Sequence, residues 1–187
     1  MKEIEVMVQV LDSEEVALSK LGQFEFLGET EIIDTYYHDP LRPKHYPNDE
    51  PGIIVPPFRI RQKNGKTFVT WKNKNFDENG KWLHLDEFET TVGDTAAMKD
   101  IAREFGLVEL VEVHNFRRSY RAGKFGISFE RVKHLGLLLE AELTGDDDMD
   151  TAAARKEVYG FIKSLNLNVS DEVILGKPEL VQQRLQK

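Results

Sequence analysis

The sequence of 187 residues contains no cysteine and no long apolar run. Without cysteine, neither disulfides nor thiolate metal sites can form, so oxygen or imidazole groups would bind any metal. No apolar run approaches the roughly 20 residues that a membrane-spanning helix requires. The first residues lack the apolar segment of a signal peptide, so we expect a cytoplasmic protein without a membrane partner.

The chain is also short of positive charge, with 25 lysines and arginines against 33 aspartates and glutamates. The formal net charge of −8 argues against a nucleic-acid partner. It does not exclude an anionic small molecule, because a local basic cluster can outweigh the global sign. The length suits one core, so residues 1–187 are predicted to form a single domain.

Proline is almost absent outside one stretch. Six of the seven prolines lie between His38 and Pro57. Proline cannot donate to a strand ladder and interrupts helices, so this composition predicts an inserted loop over residues 38–57.

Polar and apolar residues alternate along several predicted strands. In the first strand, Glu3 and Glu5 share one face while Ile4 and Val6 share the other. The same spacing of two recurs in five further pairs: Arg59 and Arg61, Thr70 and Lys72, Glu87 and Glu89, Ser128 and Glu130, Glu140 and Glu142. Each strand therefore has a charged face and an apolar face.

About eight strands are predicted, linked mostly by short turns such as Asn64-Gly65, a strong hairpin signal. Helices are predicted at about residues 14–21, 95–105 and 151–165, and from Pro178 onward. We therefore expect a mainly antiparallel α+β fold, with the sheet closed into an eight-stranded barrel and helices packed outside. In that arrangement the charged faces line a tunnel. The alternative is that apolar faces fill the barrel and charged faces meet only solvent.

The order of these motifs resembles the CYTH family of triphosphate tunnel metalloenzymes, closest to its class IV adenylate cyclase and thiamine triphosphatase branch. The matching segments are Glu3-Ile4-Glu5, Arg59-Ile60-Arg61, Thr70-Trp71-Lys72, Glu87-Phe88-Glu89, Arg117 with Tyr120, Gly123 to Glu130, and Gly136 to Glu142.

The resemblance implies a tunnel that binds a triphosphate together with Mg²⁺ or Mn²⁺. The implied metal ligands are Glu3, Glu5, Glu130, Glu140 and Glu142. The implied phosphate ligands are Arg59, Arg61, Lys72, Arg117 and Lys124. Catalytic roles are implied for Glu3, Glu5 and Arg117. Glu87 and Glu89 would join the metal set or form salt bridges to the basic side, and Tyr120 would contact the ligand or pack within its strand.

The implied activity is that of a triphosphatase or an adenylate cyclase, acting on ATP, thiamine triphosphate or tripolyphosphate. A homodimer is compatible with either. One departure from the family pattern matters: Met7 stands where the family has lysine, and a thioether supplies neither charge nor proton. A tunnel that binds nucleotide or polyphosphate without turnover is therefore the second hypothesis. A barrel for an apolar ligand, with the charged faces outside, is the third.

Overall fold

The computed structural model of the protein describes residues 2–41, 57–76, 78, 82–146 and 148–186. Of residues 2, 74–76 and 82–85 only the backbone is described. Residues 42–56, most of the predicted proline-rich loop, lie outside the described residues.

The described chain forms nine strands and four helices. The strands are β1 (Lys2–Val10), β2 (Glu25–His38), β3 (Phe58–Lys63), β4 (Lys66–Phe76), β5 (Trp82–Val92), β6 (Val108–Ala122), β7 (Phe125–Val132), β8 (Gly136–Gly145) and β9 (Val169–Glu172). The helices are α1 (Glu14–Leu21), α2 (Thr95–Glu104), α3 (Thr151–Ser164) and α4 (Lys177–Leu185). The alternation pattern did not predict β9, because four residues are too few to establish a period of two.

Local signals in the sequence place several element ends. Asn64 and Gly65 adopt φ values of 51° and 70°, which a tight turn between two strands requires, so β3 and β4 form the predicted hairpin. The side chains of Ser13, Asp94 and Asp150 accept hydrogen bonds from the first backbone N–H groups of α1, α2 and α3. None of these helices in the described part of the chain is long and apolar enough to cross a membrane.

The strands form one sheet in the order β5-β4-β3-β2-β6-β7-β8-β1-β9. Pairings such as β1 with β8, β3 with β4 and β7 with β8 are antiparallel. The mainly antiparallel α+β fold is therefore confirmed. Over the residues that the structure describes, however, this order has two ends, at β5 and β9, so closure into an eight-stranded barrel is not confirmed.

The chain divides into two compact units. Unit 1 comprises Met1–Thr30 and Asn115–Leu175, and unit 2 comprises Glu31–His114 and Gly176–Lys187. Both β2 and β6 contribute residues to each unit. Each unit has its own core and its own set of charged side chains.

The core of unit 1 lies between the sheet and two helices. Val6 and Val8 of β1, with apolar residues of β7 and β8, pack against Leu21 of α1 and Val158 of α3. These side chains project from the apolar faces of their strands, and burying them is the main stabilising contribution. The charged faces of the same strands point away from this core.

Unit 2 repeats this arrangement on a smaller scale. Tyr37, Phe58 and Ile60 pack with Ala102 of α2, and Trp71 lies against the same cluster. The apolar faces of β3 and β4 are thus covered by a helix. In both units, helices cover the apolar face and leave the charged face as the other side of the sheet.

Candidate functional site

Strand register gathers the acidic residues of unit 1 on one face. Glu5 pairs with Glu142 across β1 and β8, and Met7 pairs with Glu140. Directly opposed residues in antiparallel strands project to the same side. Continuing the register through β7 and β6 gives the members of this polar face: Glu3, Glu5, Glu130, Glu140, Glu142, Ser119, Ser128, Arg117 and Arg121.

Glu142 lies where these carboxylates are most crowded. Partial burial raises the pKa of Glu142 above its ordinary value of 4.5, and a hydrogen bond with Glu3 adds to this effect. The negative charges of Glu3 and Glu140 raise the pKa further, while Arg117 acts in the opposite direction. Two carboxyl groups that share a hydrogen bond favour retention of a proton, and a bound cation would relieve the same repulsion.

Gly126 makes room for the Glu142 side chain. The two residues are directly opposed on β7 and β8. A Cβ added to Gly126 would lie 2.7 Å from Cγ and 2.8 Å from Cδ of Glu142, closer than van der Waals contact permits. Any larger residue at position 126 would displace the carboxylate, so this glycine positions Glu142 across the neighbouring strand.

Glu130 and Arg117 form the buried ion pair of this face. Their Cα atoms are opposed on β7 and β6, and Arg117 Nε donates to Glu130 Oε1 at 2.5 Å. Glu130 has no solvent exposure. A carboxylate buried this completely needs a charged partner, and Arg117 supplies it. The residue expected as a metal ligand and the residue expected as a phosphate ligand are therefore joined in this structure.

The donor chemistry of the polar face fits a hard divalent cation. Carboxylate oxygens are the protein ligands that Mg²⁺ and Mn²⁺ prefer, and the crowding around Glu142 favours added positive charge. Yet nowhere in the described residues do three or more acidic, histidine or cysteine side chains already stand together as a ready metal site. A cation held here would have to draw the carboxylates of Glu3, Glu5 and Glu140 toward Glu142.

In unit 2, Arg59 is the centre of the polar face. Its Nη2 donates to Thr70 Oγ1 at 2.9 Å and to Glu89 Oε2 at 3.3 Å, and lies 3.8 Å from Glu87 Oε1. The residue is 6% exposed, and its Nε has no hydrogen-bond acceptor among the described residues. Arg59 is thus buried and charge-balanced, with one donor still unused.

Arg61 is held in a forked pair with Asp34. Arg61 Nε donates to Asp34 Oδ1 at 2.6 Å, and Nη2 donates to Oδ2 at 2.7 Å. Burial acts to lower the pKa of Arg61, but the hydrogen bonds and charge of Asp34 outweigh it and raise the pKa. Burial and the charge of Asp34 raise the pKa of nearby Tyr36 far above its ordinary value. Tyr36 therefore keeps its proton at any physiological pH.

Lys72 completes the basic set. Its Nζ lies 3.0 Å from Glu87 Oε2, and the two residues are opposed on β4 and β5. Glu87 and Glu89 therefore form salt bridges to the basic side, which was one of the two alternatives that the sequence left open. Three cations, Arg59, Arg61 and Lys72, are balanced by the carboxylates Asp34, Glu87 and Glu89.

Two predicted site residues lie away from the polar faces. Lys124 Nζ is 2.5 Å from Glu157 Oε1 of α3. Tyr120 is 5% exposed in the core of unit 1, and its ring centroid is 5.4 Å from that of Phe26. The structure thus pairs Lys124 with a carboxylate of α3 and not with those of the polar face, and Tyr120 packs within its strand. Both residues nevertheless border a cavity that Glu142 also lines.

Sequence reasoning missed Asp34, Tyr36 and Arg121. Asp34 and Tyr36 follow the period of two that selected the other pairs, and Arg121 lies two residues after Ser119 and four after Arg117. Extending that period along each strand would have found all three. What it could not show is that Asp34 is the partner of Arg61.

Known proteins resemble this chain along most of its length. The curated protein "Putative adenylate cyclase MJ0240" from Methanocaldococcus jannaschii is 28% identical over 176 residues, covering 93% of this chain and 94% of the relative.

Solved structures share the fold. The PH1012 protein from Pyrococcus horikoshii superposes with a TM-score of 0.69 at 21% identity, covering 96% of this chain and 99% of that one. A "putative adenylate cyclase" from Vibrio parahaemolyticus superposes with a TM-score of 0.68 at 17% identity, covering 96% of this chain and 97% of that one. At identities this low, the structural similarity shows that the fold is shared and nothing more.

The sequence model of the CYTH domain family matches residues 1–173, nearly the whole chain. The matched stretch includes every strand that carries the two polar faces. The protein therefore belongs to the CYTH domain family.

Proposed function

We propose that this protein binds a triphosphate together with a divalent cation and converts it, as a triphosphatase or an adenylate cyclase. The observation that carries the proposal is the separation of charged and apolar side chains onto opposite strand faces in both units. In unit 1, five carboxylates and Arg117 share the charged face. In unit 2, the charged face carries Arg59, Arg61 and Lys72. Membership of the CYTH domain family supports this assignment.

The basic residues of unit 2 are suited to phosphate oxygens. A guanidinium presents several N–H groups in a planar fork that matches a phosphate, and a lysine adds a point charge. In the structure, Asp34, Glu87 and Glu89 pair with these basic side chains. Phosphate oxygens would compete with Glu87 and Glu89 for Arg59 and Lys72, and the unused Nε of Arg59 is a further donor.

The carboxylates of unit 1 would hold the cation. Glu3, Glu5, Glu140 and Glu142 would supply the oxygens, and Arg117 would contribute a phosphate contact once its pair with Glu130 adjusts. Mg²⁺ or Mn²⁺ bound there supplies charge neutralisation and polarisation of phosphoryl oxygens. Arg117 then stabilises negative charge that develops on the phosphates during transfer.

The two reactions differ only in the nucleophile. In the triphosphatase, water attacks a phosphorus atom and a phosphate or pyrophosphate leaves. In the cyclase, the ribose 3′-oxygen attacks the α-phosphorus of ATP, the bond to pyrophosphate breaks, and the proton of the 3′-hydroxyl passes to solvent water. In either case Glu3 or Glu5 would orient the nucleophile, since both lie on the strand that borders Glu142. The name of the archaeal relative supports the cyclase.

A second candidate is a tunnel protein that binds the ligand without turnover. Met7 favours it, because this residue faces Glu140 on the polar side of β1 and carries no charge. The third hypothesis, an apolar ligand within the sheet, has less support, because helices pack against the apolar faces of both units.

The decisive experiment measures phosphate, pyrophosphate and cyclic AMP released from tripolyphosphate, thiamine triphosphate and ATP, with Mg²⁺ or Mn²⁺. Phosphate or pyrophosphate alone would establish the triphosphatase, and cyclic AMP with pyrophosphate would establish the cyclase. Binding without any product would establish the second candidate.

Two variants and a control make the result specific. Arg59→Ala/Arg61→Ala should abolish turnover and binding. Thermal unfolding must show that this variant still folds, since Arg59 is buried and Arg61 is half-buried. Lys72→Gln is the milder variant, because Lys72 is partly exposed. Arg118→Gln is the control, because Arg118 pairs with Glu29 on the opposite side of β6 from Arg117. Equal loss in the control would contradict the proposal.

A further inference from the structure

A cavity of about 510 Å³ opens on the polar face of unit 1. This volume falls within the range of small-molecule sites. Its lining includes Arg117 and Glu142, which are assigned above, together with Ser119, Arg121 and Ser128. Lys124 also borders this space, but its ammonium is paired with Glu157 of α3. A ligand held by Arg117 and Glu142 therefore extends into space bordered by Arg121, Lys124 and two hydroxyl groups.

Arg121 and Glu142 lie on the strands on either side of Gly126, which has no side chain. Arg121 is directly opposite Gly126 on β7, and Gly126 is directly opposite Glu142 on β8. Two strand spacings, about 10 Å, separate the Cα atoms of the outer two residues. Both side chains are long enough to reach over Gly126, so a phosphate placed there can contact the arginine while a cation contacts the glutamate.

The guanidinium of Arg121 is available for a ligand. It makes no hydrogen bond or ion pair with any residue that the structure describes, and it is exposed. Its neighbours differ: Arg117 is paired with Glu130, and Arg118 with Glu29. Binding an anion at Arg121 therefore breaks no existing ion pair, whereas binding at Arg117 must weaken one.

We propose that Arg121 is a phosphate-binding residue, and that Ser119 and Ser128 donate hydroxyl hydrogen bonds to the same phosphate. The inference rests on the proposed function and deepens it. Met7 of β1, which stands where the family has lysine, carries no positive charge, and Arg121 supplies one from β6. The group that enters this cavity is accordingly an anionic phosphate, as in tripolyphosphate or ATP, and not the positively charged ring of thiamine triphosphate.

The test compares two neighbouring arginines that project to opposite faces of one strand. Arg121→Gln and Arg118→Gln each remove one positive charge from an exposed side chain. Tripolyphosphate binding with Mg²⁺ is measured by calorimetry, and circular dichroism checks that both variants melt like the wild type. We expect Arg121→Gln to weaken binding about tenfold or more, since a charged hydrogen bond is lost, and Arg118→Gln to weaken it less than about twofold. Arg121→Lys should restore part of the loss.

Other outcomes overturn the inference in distinguishable ways. If the wild-type protein binds, Lys72→Gln weakens binding and Arg121→Gln behaves like Arg118→Gln, the proposed function stands and the role of Arg121 is refuted. If the wild-type protein binds none of tripolyphosphate, thiamine triphosphate and ATP with Mg²⁺ or Mn²⁺, the proposed function fails and this inference fails with it.

Discussion

Asp34 accepts two parallel hydrogen bonds from Arg61, with Nε to Oδ1 at 2.6 Å and Nη2 to Oδ2 at 2.7 Å. The two residues are directly opposed on β2 and β3. Asp34 is 5% exposed, so its charge is neutralised almost entirely within the protein. The pair fixes the plane of the guanidinium and leaves Nη1 as the nitrogen that Asp34 does not engage.

Removing Asp34 should destabilise the protein strongly. Asp34→Ala leaves Arg61 without its buried counter-charge, and we expect the free energy of unfolding to fall by about 3 kcal/mol. Urea denaturation measures this. Glu29→Ala is the matched control: it removes the exposed partner of Arg118, and should cost less than about 1 kcal/mol. Similar losses for the two variants would show that Arg61 has little need of Asp34.

Gly126→Ala should displace Glu142 without disturbing the backbone. The new Cβ would overlap Cγ and Cδ of Glu142, which must rotate away. We expect a loss of about 1 kcal/mol in unfolding free energy and weaker Mg²⁺-dependent ligand binding, measured by calorimetry. Gly93→Ala is the control, because a Cβ there meets nothing within 4 Å. If both variants bind the ligand like the wild type, Gly126 does not position Glu142 for binding.

Glu142→Gln should stabilise the ligand-free protein at neutral pH. The folded-state pKa of Glu142 is raised above 4.5, so its contribution to stability is fully present below that pH. It is lost as pH rises through the folded pKa, and at pH 7 the ionised group repels Glu3 and Glu140. We expect a gain of less than about 1 kcal/mol, because the side chain is partly exposed.

Thermal unfolding at several pH values tests this expectation. The gain should be present at pH 7 and vanish below pH 4.5. Glu3→Gln should relieve the same repulsion, so the double variant should gain less than the sum of the two single changes. Additive gains, or a gain that persists at low pH, would show that the two carboxyl groups do not interact.

The period of two in the sequence predicted the faces of the sheet correctly. Glu3 and Glu5 share a polar face, and so do Arg59 and Arg61, because side-chain direction in a strand depends only on local backbone geometry. Partners across strands could not be predicted in this way. That Asp34 meets Arg61, or that Glu142 lies over Gly126, depends on which strands are neighbours and on their register.

The barrel prediction shows the same limit, whereas the packing of Tyr120 could have been predicted from the period of two. The sequence predicted a closed barrel from the number of strands, but closure depends on how the edge strands meet, which alternation does not encode. Tyr120 was left open between ligand contact and packing. Its place in the core follows from parity, since it is three residues from Arg117 and so projects to the opposite face.

Under the proposed function, Met7→Lys should increase turnover of the triphosphate. Met7 is directly opposite Glu140 on the polar face, so the new ammonium would lie beside a carboxylate in the position where the family has lysine. The backbone carbonyl of Met7, which accepts a hydrogen bond from Val173 at 2.8 Å, is unaffected. The added cross-strand pair should stabilise the fold by less than about 1 kcal/mol, while one added phosphate contact should raise kcat/KM about tenfold.

Met7→Gln is the control, with similar length and no charge. If the two variants have equal kcat/KM, charge at position 7 does not limit the reaction, and Arg121 or another cation already supplies it.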